Sequence, residues 1–379
     1  MQIVIAPDSF KGSLSAVEIC RVVKAAIGEV APHAHVTELP LADGGEGTLD
    51  CLVKATAGEK RAAVVEDPLG RQLTAYYGIL GDGQTAVIEL AQASGLSLLS
   101  PTERNPLMTS TYGTGQLIKQ AVEGGYRKFI IGLGGSATND AGAGLLKALG
   151  VKFYNAEGAE LANGGAALRD LHRIDNSMLH PQLKNCAFMI ASDVKNTLCG
   201  AQGASAIFGP QKGATTEMVD ELDAALVHFA AIIQKQYGLE LRQLVGGGAA
   251  GGVGATLQAF LQADYRSGID VVMQATGARD MIREATIVFT GEGKLDVQTL
   301  SGKVIAGVAH CAKTYQVPVL AVAGAVELNS QQLQQLGITA AFSIVQGPCT
   351  TEQALEQTPK WLHERVKQIM QLYLLLRKL

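Results

Sequence analysis

Short apolar runs alternate with helical patterns along most of this chain, and small polar residues follow each apolar run. The clearest examples are IVIAPDSFKGSLSA, FIIGLGGSATND, FMIASDVKNTLCG, TIVFTGEGKLD and VPVLAVAGAVE, and weaker ones cover residues 36–40 and 342–345. This alternation of strand and helix is typical of a parallel sheet covered by helices on both faces. Ligands bind outside the carboxyl ends of such strands, so we expect the polar clusters to converge on one crevice.

Two blocks interrupt this alternation. Residues 55–110 contain TAYYGIL and TAVIEL, whose alternating polarity and nearby Gly and Asp turns predict antiparallel hairpins. Residues 150–280 mix short strands and loops with a long helix near residues 216–237. Because 379 residues exceed one ordinary core, we predict two α/β domains with the active site in the cleft between them. The predicted boundaries are 1–54, 112–148 and 282–379 for a doubly wound, Rossmann-like parallel-sheet domain, and 55–111 and 149–281 for a second, mixed domain formed by insertions.

Composition and charge exclude several classes of protein. The net charge is −4 and the basic residues form no run, so a nucleic-acid partner is not expected. No stretch approaches the roughly 20 apolar residues of a membrane span, and the N-terminal MQIVIAPDSFKG lacks the pattern of a signal peptide. The six cysteines are far apart and form no CxxC pair, which is typical of reduced thiols in the cytoplasm.

The segment FIIGLGGSATNDAGAG predicts a buried strand at 129–133, a glycine-rich loop, and a helix from about residue 141. Such a loop suits an anion, because glycines let the backbone approach a phosphate and a helix start presents free N–H groups. Asp140 adds a negative charge, and a phosphate site that contains a carboxylate usually also binds a metal ion or a hydroxyl to be activated. The segment therefore points to phosphoryl transfer. The simpler alternative is a helix start with one of three capping residues, Ser136, Thr138 or Asn139.

Two clusters near the N-terminus combine carboxylates with turn residues. In APDSFKG, Asp8 and Ser9 can form an ordinary turn, but Lys11 has no turn role, which favours a functional site. In LADGGEGTLD, Asp43 and further carboxylates surround three glycines. This arrangement suits contact with a metal ion or a hydroxyl, and its alternative is a glycine loop capped by Thr48.

Three later clusters offer further candidates. TGEGKLDVQTLSGK joins a strong strand to a helix and supplies acids and lysines suited to a phosphate and its metal, or only a capped helix start. The run SDVKNTLCGAQGASAIFGPQKGA opens with Asp193 at a strand end, and its length indicates a functional loop, although Gln211 and Lys212 could simply be solvated. GGGAAGGVG contains a weak GxGxxG dinucleotide signal, or glycines that pack closely on a neighbour. Its glycines are Gly246, Gly248 and Gly251.

The chain resembles the bacterial glycerate kinase family (type 1, glycerate 2-kinase) in motifs that occur in the same order over nearly its whole length. They are MQIVIAPDSFKGSLSA, LADGGEGTLD, DPLGR, GLGGSATNDAGAG, SDVKNTLCG to FGPQKGA, GAAGG and TGEGKLDVQTLSGK. The resemblance implies transfer of the ATP γ-phosphate to D-glycerate with Mg²⁺, in glycerate, glucarate or glyoxylate catabolism, and favours 2-phosphoglycerate over 3-phosphoglycerate as the product. Three positions depart from the family pattern: Thr197 replaces a proline, Ala141 a glycine, and Gln116 an acid.

From these motifs we predict the roles of individual residues. The predicted ATP-binding residues are Gly134, Gly135, Ser136, Thr138, Gly291, Glu292, Gly293, Lys294 and Lys303, with Asp140 and Asp296 on the metal side. The predicted catalytic residues are Asp193, Asp8, Asp43 and Lys11. We prefer Asp193 as the acceptor of the hydroxyl proton, because it follows a strand of the other domain. Lys11 and Arg71 are candidates for the glycerate carboxylate, since a guanidinium fork fits a carboxylate. The predicted glycerate site also includes Ser9, Gly44 and Gly45.

Two rival functions stay open. An NAD-dependent dehydrogenase would use the glycines Gly246, Gly248 and Gly251. A non-catalytic sensor would bind nucleotide or glycerate without turnover, although carboxylates at strand ends repel phosphate unless a metal intervenes. We expect a cytoplasmic enzyme that acts on a small molecule, with no nucleic-acid or membrane partner and a homodimer as one option for its assembly.

Overall fold

The computed structural model describes residues 1–301 and 304–376, which form two compact units. The first unit comprises Met1–Asp43, Asp50–Ala57 and the described residues from Ile269 onward. The second unit comprises Gly44–Leu49 and Gly58–Gly268. The chain therefore passes from the first unit to the second and back again twice.

The strands follow in chain order. They are β1 (Gln2–Ile5), β2 (His35–Glu38), β3 (Glu59–Glu66), β4 (Gln72–Ile79), β5 (Thr85–Glu89), β6 (Lys128–Gly132), β7 (Lys152–Tyr154), β8 (Arg173–Asp175), β9 (Ala187–Ala191), β10 (Asp264–Arg266), β11 (Ile287–Leu295), β12 (Val319–Val326) and β13 (Ala340–Ser343).

The α-helices lie between these strands, and short 3-10 turns supplement them. They are α1 (Ala16–Val30), α2 (Thr48–Ala55), α3 (Ala91–Ser94), α4 (Tyr112–Glu123), α5 (Ala143–Ala148), α6 (Ala204–Phe208), α7 (Thr216–Tyr237), α8 (Val253–Leu261), α9 (Gly268–Ala275), α10 (Ala278–Arg283), α11 (Val304–Thr314), α12 (Ser330–Leu336) and α13 (Thr351–Leu376).

The first unit contains a parallel sheet of five strands in the order β13-β12-β11-β1-β2. Its strands are apolar runs, as Ile3 and Ile5 on β1 and Phe289 on β11 illustrate, because both faces of a parallel sheet are covered. Helices α1 and α13 pack against each other. Helix α1 begins with a capping box in which Ser15 N donates to Glu18 Oε2 at 2.8 Å.

The second unit contains a mixed sheet of six strands in the order β10-β9-β6-β5-β4-β3. Strands β10, β9, β6 and β5 pair in parallel, whereas β5, β4 and β3 pair antiparallel, as the alternating polarity of TAYYGIL and TAVIEL predicts. Strands β7 and β8 form a separate antiparallel pair. Buried Ile88, Ile131 and Ile190 lie on the parallel strands, and the rings of Phe129 and Phe188 stack with centroids 4.8 Å apart.

The fold class is as predicted: α/β, with one parallel sheet and a second mixed sheet. The assignment of residues 112–148 to the Rossmann-like domain is wrong, because β6 pairs with β5 and β9 in the second unit. Residues 269–281 also lie in the first unit rather than the second. A strand followed by a helix has the same local pattern in either sheet, so the pattern does not identify the partner strands. The polar strand ends consequently belong to two different sheets.

Candidate active site

Asp8 follows strand β1 and lies among acidic side chains of the first unit. Its backbone N–H donates to the carbonyl of Gly291 on β11 at 2.8 Å. Its Oδ1 accepts the Ser9 N–H at 2.6 Å and the Ser9 hydroxyl at 3.4 Å. The carboxyl is partly buried, and its pKa is raised to about 6, first by burial and then by the charge of Asp43. A carboxyl with such a pKa can exchange a proton near neutral pH.

Three further groups act on the pKa of Asp8. The N–H of Ser9 and the exposed Lys11 ammonium lower this pKa, and Glu292 raises it. Glu292 is buried on β11, and its Oε1 accepts the Thr299 hydroxyl at 2.6 Å. The structure thus brings together five of the predicted site residues. They are Asp8, Ser9, Lys11, Asp43 and Glu292.

The remaining residues of TGEGKLD are engaged locally. Exposed Lys294 forms ion pairs with Glu327 at 2.9 Å and with Asp296 at 3.8 Å. The Asp296 carboxylate accepts an N–H within its own turn at 2.8 Å. Gly291 leaves no room for a side chain, because a Cβ atom there would lie 2.2 Å from a carbonyl oxygen of β12. Lys303 lies outside the described residues.

The glycines of LADGGEG allow a close backbone contact within the second unit. Gly44 has a φ of +88°, and a Cβ atom on it would lie 2.1 Å from the carbonyl oxygen of Ala191, at the end of β9. The Gly134 N–H donates to the Gly44 carbonyl at 3.2 Å, and a Cβ atom on Gly134 would lie 2.4 Å from Gly45 Cα. Gly44 and Gly45, predicted to contact substrate, therefore fit the loop against the strand ends. The buried Glu89 carboxylate holds the following turn by accepting two backbone N–H groups at 3.0 and 3.3 Å.

The GGSATND loop follows β6 at the carboxyl edge of the second sheet. Gly134 is half-buried, Gly135 is exposed with a φ of +74°, and Ser136 is 8% exposed. Thr138 is fully buried, and its Oγ1 has no hydrogen-bond partner among the described residues. The accessible part of the loop is thus Gly134 and Gly135, and the chain is buried from Ser136 onward.

Asp140 at the end of this loop is fully buried and accepts hydrogen bonds at both carboxylate oxygens. The Thr111 N–H and hydroxyl each donate to Oδ2 at 2.9 Å. The N–H groups of Gly142 and Gly144 donate at 3.0 and 3.2 Å. The pKa of Asp140 is raised, because the effect of burial exceeds the opposite effect of these hydrogen bonds.

This geometry changes the interpretation of the loop. Helix α5 begins at Ala143, and N–H groups at its start donate to Asp140, while that of Leu145 donates to Thr111 Oγ1 at 2.9 Å. The anion at this helix start is therefore Asp140 itself, and the expectation that these N–H groups serve a bound phosphate is wrong. A metal ion at Asp140 would have to displace these donors. The alternative that Ser136, Thr138 or Asn139 caps the helix is wrong too, because the N-cap residue of α5 is Gly142 and the acceptor is Asp140.

Lys212 is a buried lysine, so the alternative that it is a solvated loop residue is wrong. It is 2% exposed, and its Nζ donates to Ser136 Oγ at 2.8 Å and to the Thr138 carbonyl at 2.7 Å. Burial lowers its pKa to about 7, and the Asp140 charge acts in the opposite direction. Its position after Pro210 and before Gly213, which has a φ of +93°, indicates a tight turn but not what the side chain contacts.

Asp193 follows β9, and its Oδ1 accepts the Gly268 N–H at 3.1 Å. We predicted that Asp193 and the GGSATND loop belong to different domains. Both lie in the second unit, at the ends of the adjacent strands β9 and β6. The reason given for preferring Asp193 as the base is therefore removed.

Arg71 already has two carboxylate partners. Its Nε donates to Asp67 Oδ2 at 2.5 Å, and its Nη1 donates to Glu103 Oε1 at 2.6 Å. The guanidinium fork predicted to hold glycerate is thus engaged inside the second unit, where it closes the DPLGR turn.

The glycines of the GxGxxG match serve close packing. Residues 238–245, immediately before them, contain no strand, and a Cβ atom on Gly251 would lie 2.1 Å from the carbonyl oxygen of Thr138. A Cβ atom on Gly248 would lie 2.2 Å from the carbonyl oxygen of Thr197. The dinucleotide interpretation of Gly246, Gly248 and Gly251 therefore lacks its required strand–loop–helix context.

Within residues 1–301 and 304–376, no group of three or more His, Cys, Asp or Glu side chains could by itself hold a metal ion. No helix in the same ranges is long and apolar enough to cross a membrane.

Comparison with known proteins gives a consistent result. The profile of the glycerate kinase family matches residues 3–374. A "Glycerate kinase" from Bacillus subtilis (strain 168) is 47% identical over 97% of both chains. A "Glycerate 2-kinase" from Escherichia coli (strain K12) is 48% identical over 93% of both chains. A crystal structure described as glycerate kinase 2 from Salmonella typhimurium LT2 covers 100% of both chains with a TM-score of 0.89 and 44% identity.

The family profile spans nearly all of the chain, and the relatives match at high identity over almost their full lengths. The resemblance inferred from the motifs is thereby confirmed, and the chain belongs to the glycerate kinase family.

Proposed function

We propose that this protein transfers the γ-phosphoryl group of ATP to a hydroxyl of D-glycerate, with Mg²⁺, and that the product is 2-phosphoglycerate. The observation that carries the proposal is the family match over residues 3–374. The substrate is supported by relatives named glycerate kinase, and the position of phosphorylation by the relative named glycerate 2-kinase.

Asp8, Asp43 and Glu292 form the acidic group of the first unit. This group supplies the chemistry that the reaction needs. Phosphoryl transfer depends on positioning, charge neutralisation and an acceptor for the hydroxyl proton. A base is most effective when its pKa lies near the working pH, and the pKa of Asp8 is raised to about 6. We therefore assign the proton acceptor to Asp8 and keep Asp193 as the alternative.

Lys11 and Ser9 flank Asp8 and suit the glycerate carboxylate. Lys11 is exposed, and its positive charge lowers the pKa of the Asp8 carboxyl. An ammonium beside the base can hold the substrate carboxylate while the base faces a hydroxyl. Lys11 is better suited to this role than Arg71, whose guanidinium pairs with Asp67 and Glu103.

The acidic residues also fit Mg²⁺. After burial, the negative charges of Asp43 and Glu292 also raise the pKa of Asp8. The three carboxyl groups therefore lie close together. Magnesium prefers such oxygen donors and usually takes one or two carboxylates together with substrate phosphates, so a complete protein site is not required. Asp43 and Glu292 would hold the ion, which when bound neutralises the transferring phosphoryl group. Asp8 would keep its proton-accepting role, because burial is the largest cause of its raised pKa.

The test is incubation of the purified protein with ATP, Mg²⁺ and D-glycerate, followed by phosphorus NMR. We expect ADP and the phosphomonoester of 2-phosphoglycerate in equal amounts. A 3-phosphoglycerate signal would correct the product while keeping the activity. Binding of ATP or glycerate without a phosphoester would contradict the proposal and favour the sensor, and reduction of NAD⁺ by glycerate would favour the dehydrogenase.

A further inference from the structure

Lys212 is a buried cation at the carboxyl edge of the second sheet, and the chemistry assigned to the acidic group does not use it. Its Nζ lies 2.8 Å from Ser136 Oγ and 2.7 Å from the Thr138 carbonyl oxygen. The side chain is 2% exposed. Lysine seldom becomes so deeply buried, because its charged form loses solvation.

The hydrogen-bonding capacity of the two side chains fixes the direction of one proton. An ammonium group has three N–H donors and no acceptor, whereas a hydroxyl has one donor and two acceptor sites. When Lys212 is protonated, Ser136 Oγ must therefore accept in the bond between them. The hydroxyl hydrogen of Ser136 is then directed away from Lys212.

The position of Ser136 determines what that hydrogen can reach. Ser136 is 8% exposed and follows exposed Gly135 in the loop after β6. In α/β sheets this carboxyl edge is where ligands bind. A hydroxyl at this edge whose hydrogen is not used by Lys212 is a donor suited to an anionic oxygen.

We propose that Lys212 is a positioning residue that, as an ammonium, turns the Ser136 hydroxyl outward to donate to an anionic oxygen of the bound substrate. A neutral Lys212 amine can accept the Ser136 hydrogen while it still donates to the Thr138 carbonyl, so loss of the proton turns the hydroxyl inward. The inference rests on the proposed function for the identity of the ligand. The anionic oxygen belongs to a phosphate of ATP or to the carboxylate of glycerate.

The charges around Lys212 support a switch within the working pH range. Burial lowers the pKa of Lys212 to about 7, and the Asp140 carboxylate of the same loop is the charge that raises it. The other groups that face the ammonium are the uncharged Ser136 hydroxyl and Thr138 carbonyl. A bound anion adds negative charge nearby and favours the protonated form.

The test is the pH dependence of KM for ATP and for D-glycerate in the full-length protein and in three variants. For the wild type we expect one of the two KM values to rise about tenfold between about pH 6.5 and pH 9, the effect of one charge-assisted hydrogen bond. Ser136→Ala should show that raised KM at both pH values, with kcat little changed. Titration of the ligand itself affects the wild type and Ser136→Ala equally, so it cancels when their KM values are compared.

Lys212→Arg keeps a positive charge at every pH in this range, so its KM should stay low and flat if it folds. Lys147→Gln is the matched control, since Lys147 is a second partly buried lysine of this unit that binds the Leu161 and Ala162 carbonyls. It should keep the wild-type pH profile even if its stability falls. A rise in the KM for ATP identifies the anionic oxygen bound by Ser136 as a phosphate oxygen of ATP. A rise in the KM for glycerate identifies it as a carboxylate oxygen of glycerate.

The inference is overturned if Ser136→Ala keeps the wild-type pH profile, or if it leaves both KM values unchanged. If the wild type gives no turnover, the proposed function fails and the inference is judged separately. Binding of Mg-ATP and of D-glycerate is then measured by calorimetry at the same two pH values. A tenfold weaker binding at high pH that Ser136→Ala abolishes supports the inference, and its absence for both ligands contradicts it.

Discussion

Asp8 in the first unit and Asp140 in the second both follow a parallel strand in a short loop before a helix, yet their surroundings differ. Asp8 is half-buried, accepts hydrogen bonds from one neighbouring residue, and has its pKa raised to about 6, first by burial and then by nearby carboxylates. Asp140 is fully buried and accepts from Thr111, Gly142 and Gly144. The first arrangement leaves an acid able to exchange a proton, and the second stabilises a loop. Position after a strand therefore does not by itself predict a catalytic acid, and the number and charge of its partners must also be known.

Removing the Asp140 carboxylate should have the largest effect on stability. In Asp140→Ala the buried donors of Thr111, Gly142 and Gly144 lose their acceptor, and the Lys212 charge loses the carboxylate that favours it. We expect a loss of about 3–5 kcal/mol in the free energy of unfolding, measured by urea denaturation. Asp170→Ala, which removes an exposed ion pair with Arg169, should cost less than about 1 kcal/mol. Equal losses in the two variants would contradict the comparison.

Asp8→Asn should instead reduce activity and leave the fold intact. Loss of a general base typically lowers kcat by about 10²-fold or more, and we expect that range from steady-state ATP and glycerate kinetics. The control is Asp270→Asn in the same unit, an exposed carboxylate paired with Arg279 at 3.5 Å, which should retain full activity. If Asp8→Asn keeps more than about a third of the wild-type kcat while Asp193→Asn lowers kcat by about 10²-fold, the base is Asp193.

The smallest expected effect is the pH dependence of stability that Asp8 contributes. Because the pKa of Asp8 is raised from 3.8 to about 6, its contribution to stability is complete below pH 3.8 and is lost as the pH rises through about 6. We expect about 1–2 kcal/mol, reduced for its partial exposure. Asp8→Asn should thus gain stability over the wild type at about pH 8 but not at about pH 4, as urea midpoints would report. A constant difference between the two proteins at all pH values would mean that the Asp8 carboxyl is not perturbed.

Much of the fold follows from local patterns. The apolar runs at β1, β6, β9, β11 and β12 identify strands, and the alternation in TAYYGIL identifies an antiparallel pair. These features depend on residues that are close together in the chain. The partner of each strand depends on residues that are far apart in the chain. The strand order of the second sheet and the unit to which β6 belongs could therefore be learned only from the structure.

The candidate site divides in the same way. The carboxylates Asp8, Asp43 and Glu292 were predicted as site residues from the sequence, because polar residues at the ends of apolar runs mark the binding edge of a parallel sheet. Ala141 was recognised as a departure from the family pattern, and its φ of +53° explains why glycine is usual there. Lys212 gave no such signal, because its contact with Ser136 joins residues 76 positions apart.

By itself, the sequence determined the α/β class, the strands with their polar ends, and membership of the glycerate kinase family, since each of these is written in short runs of neighbouring residues. Only the tertiary structure decided which strands share a sheet, that Asp140 is fully buried and hydrogen-bonded while Asp8 is half-buried among carboxylates, and that Lys212 is buried beneath the GGSATND loop. Those properties depend on desolvation and on charges brought near by distant parts of the chain, and no local pattern contains them.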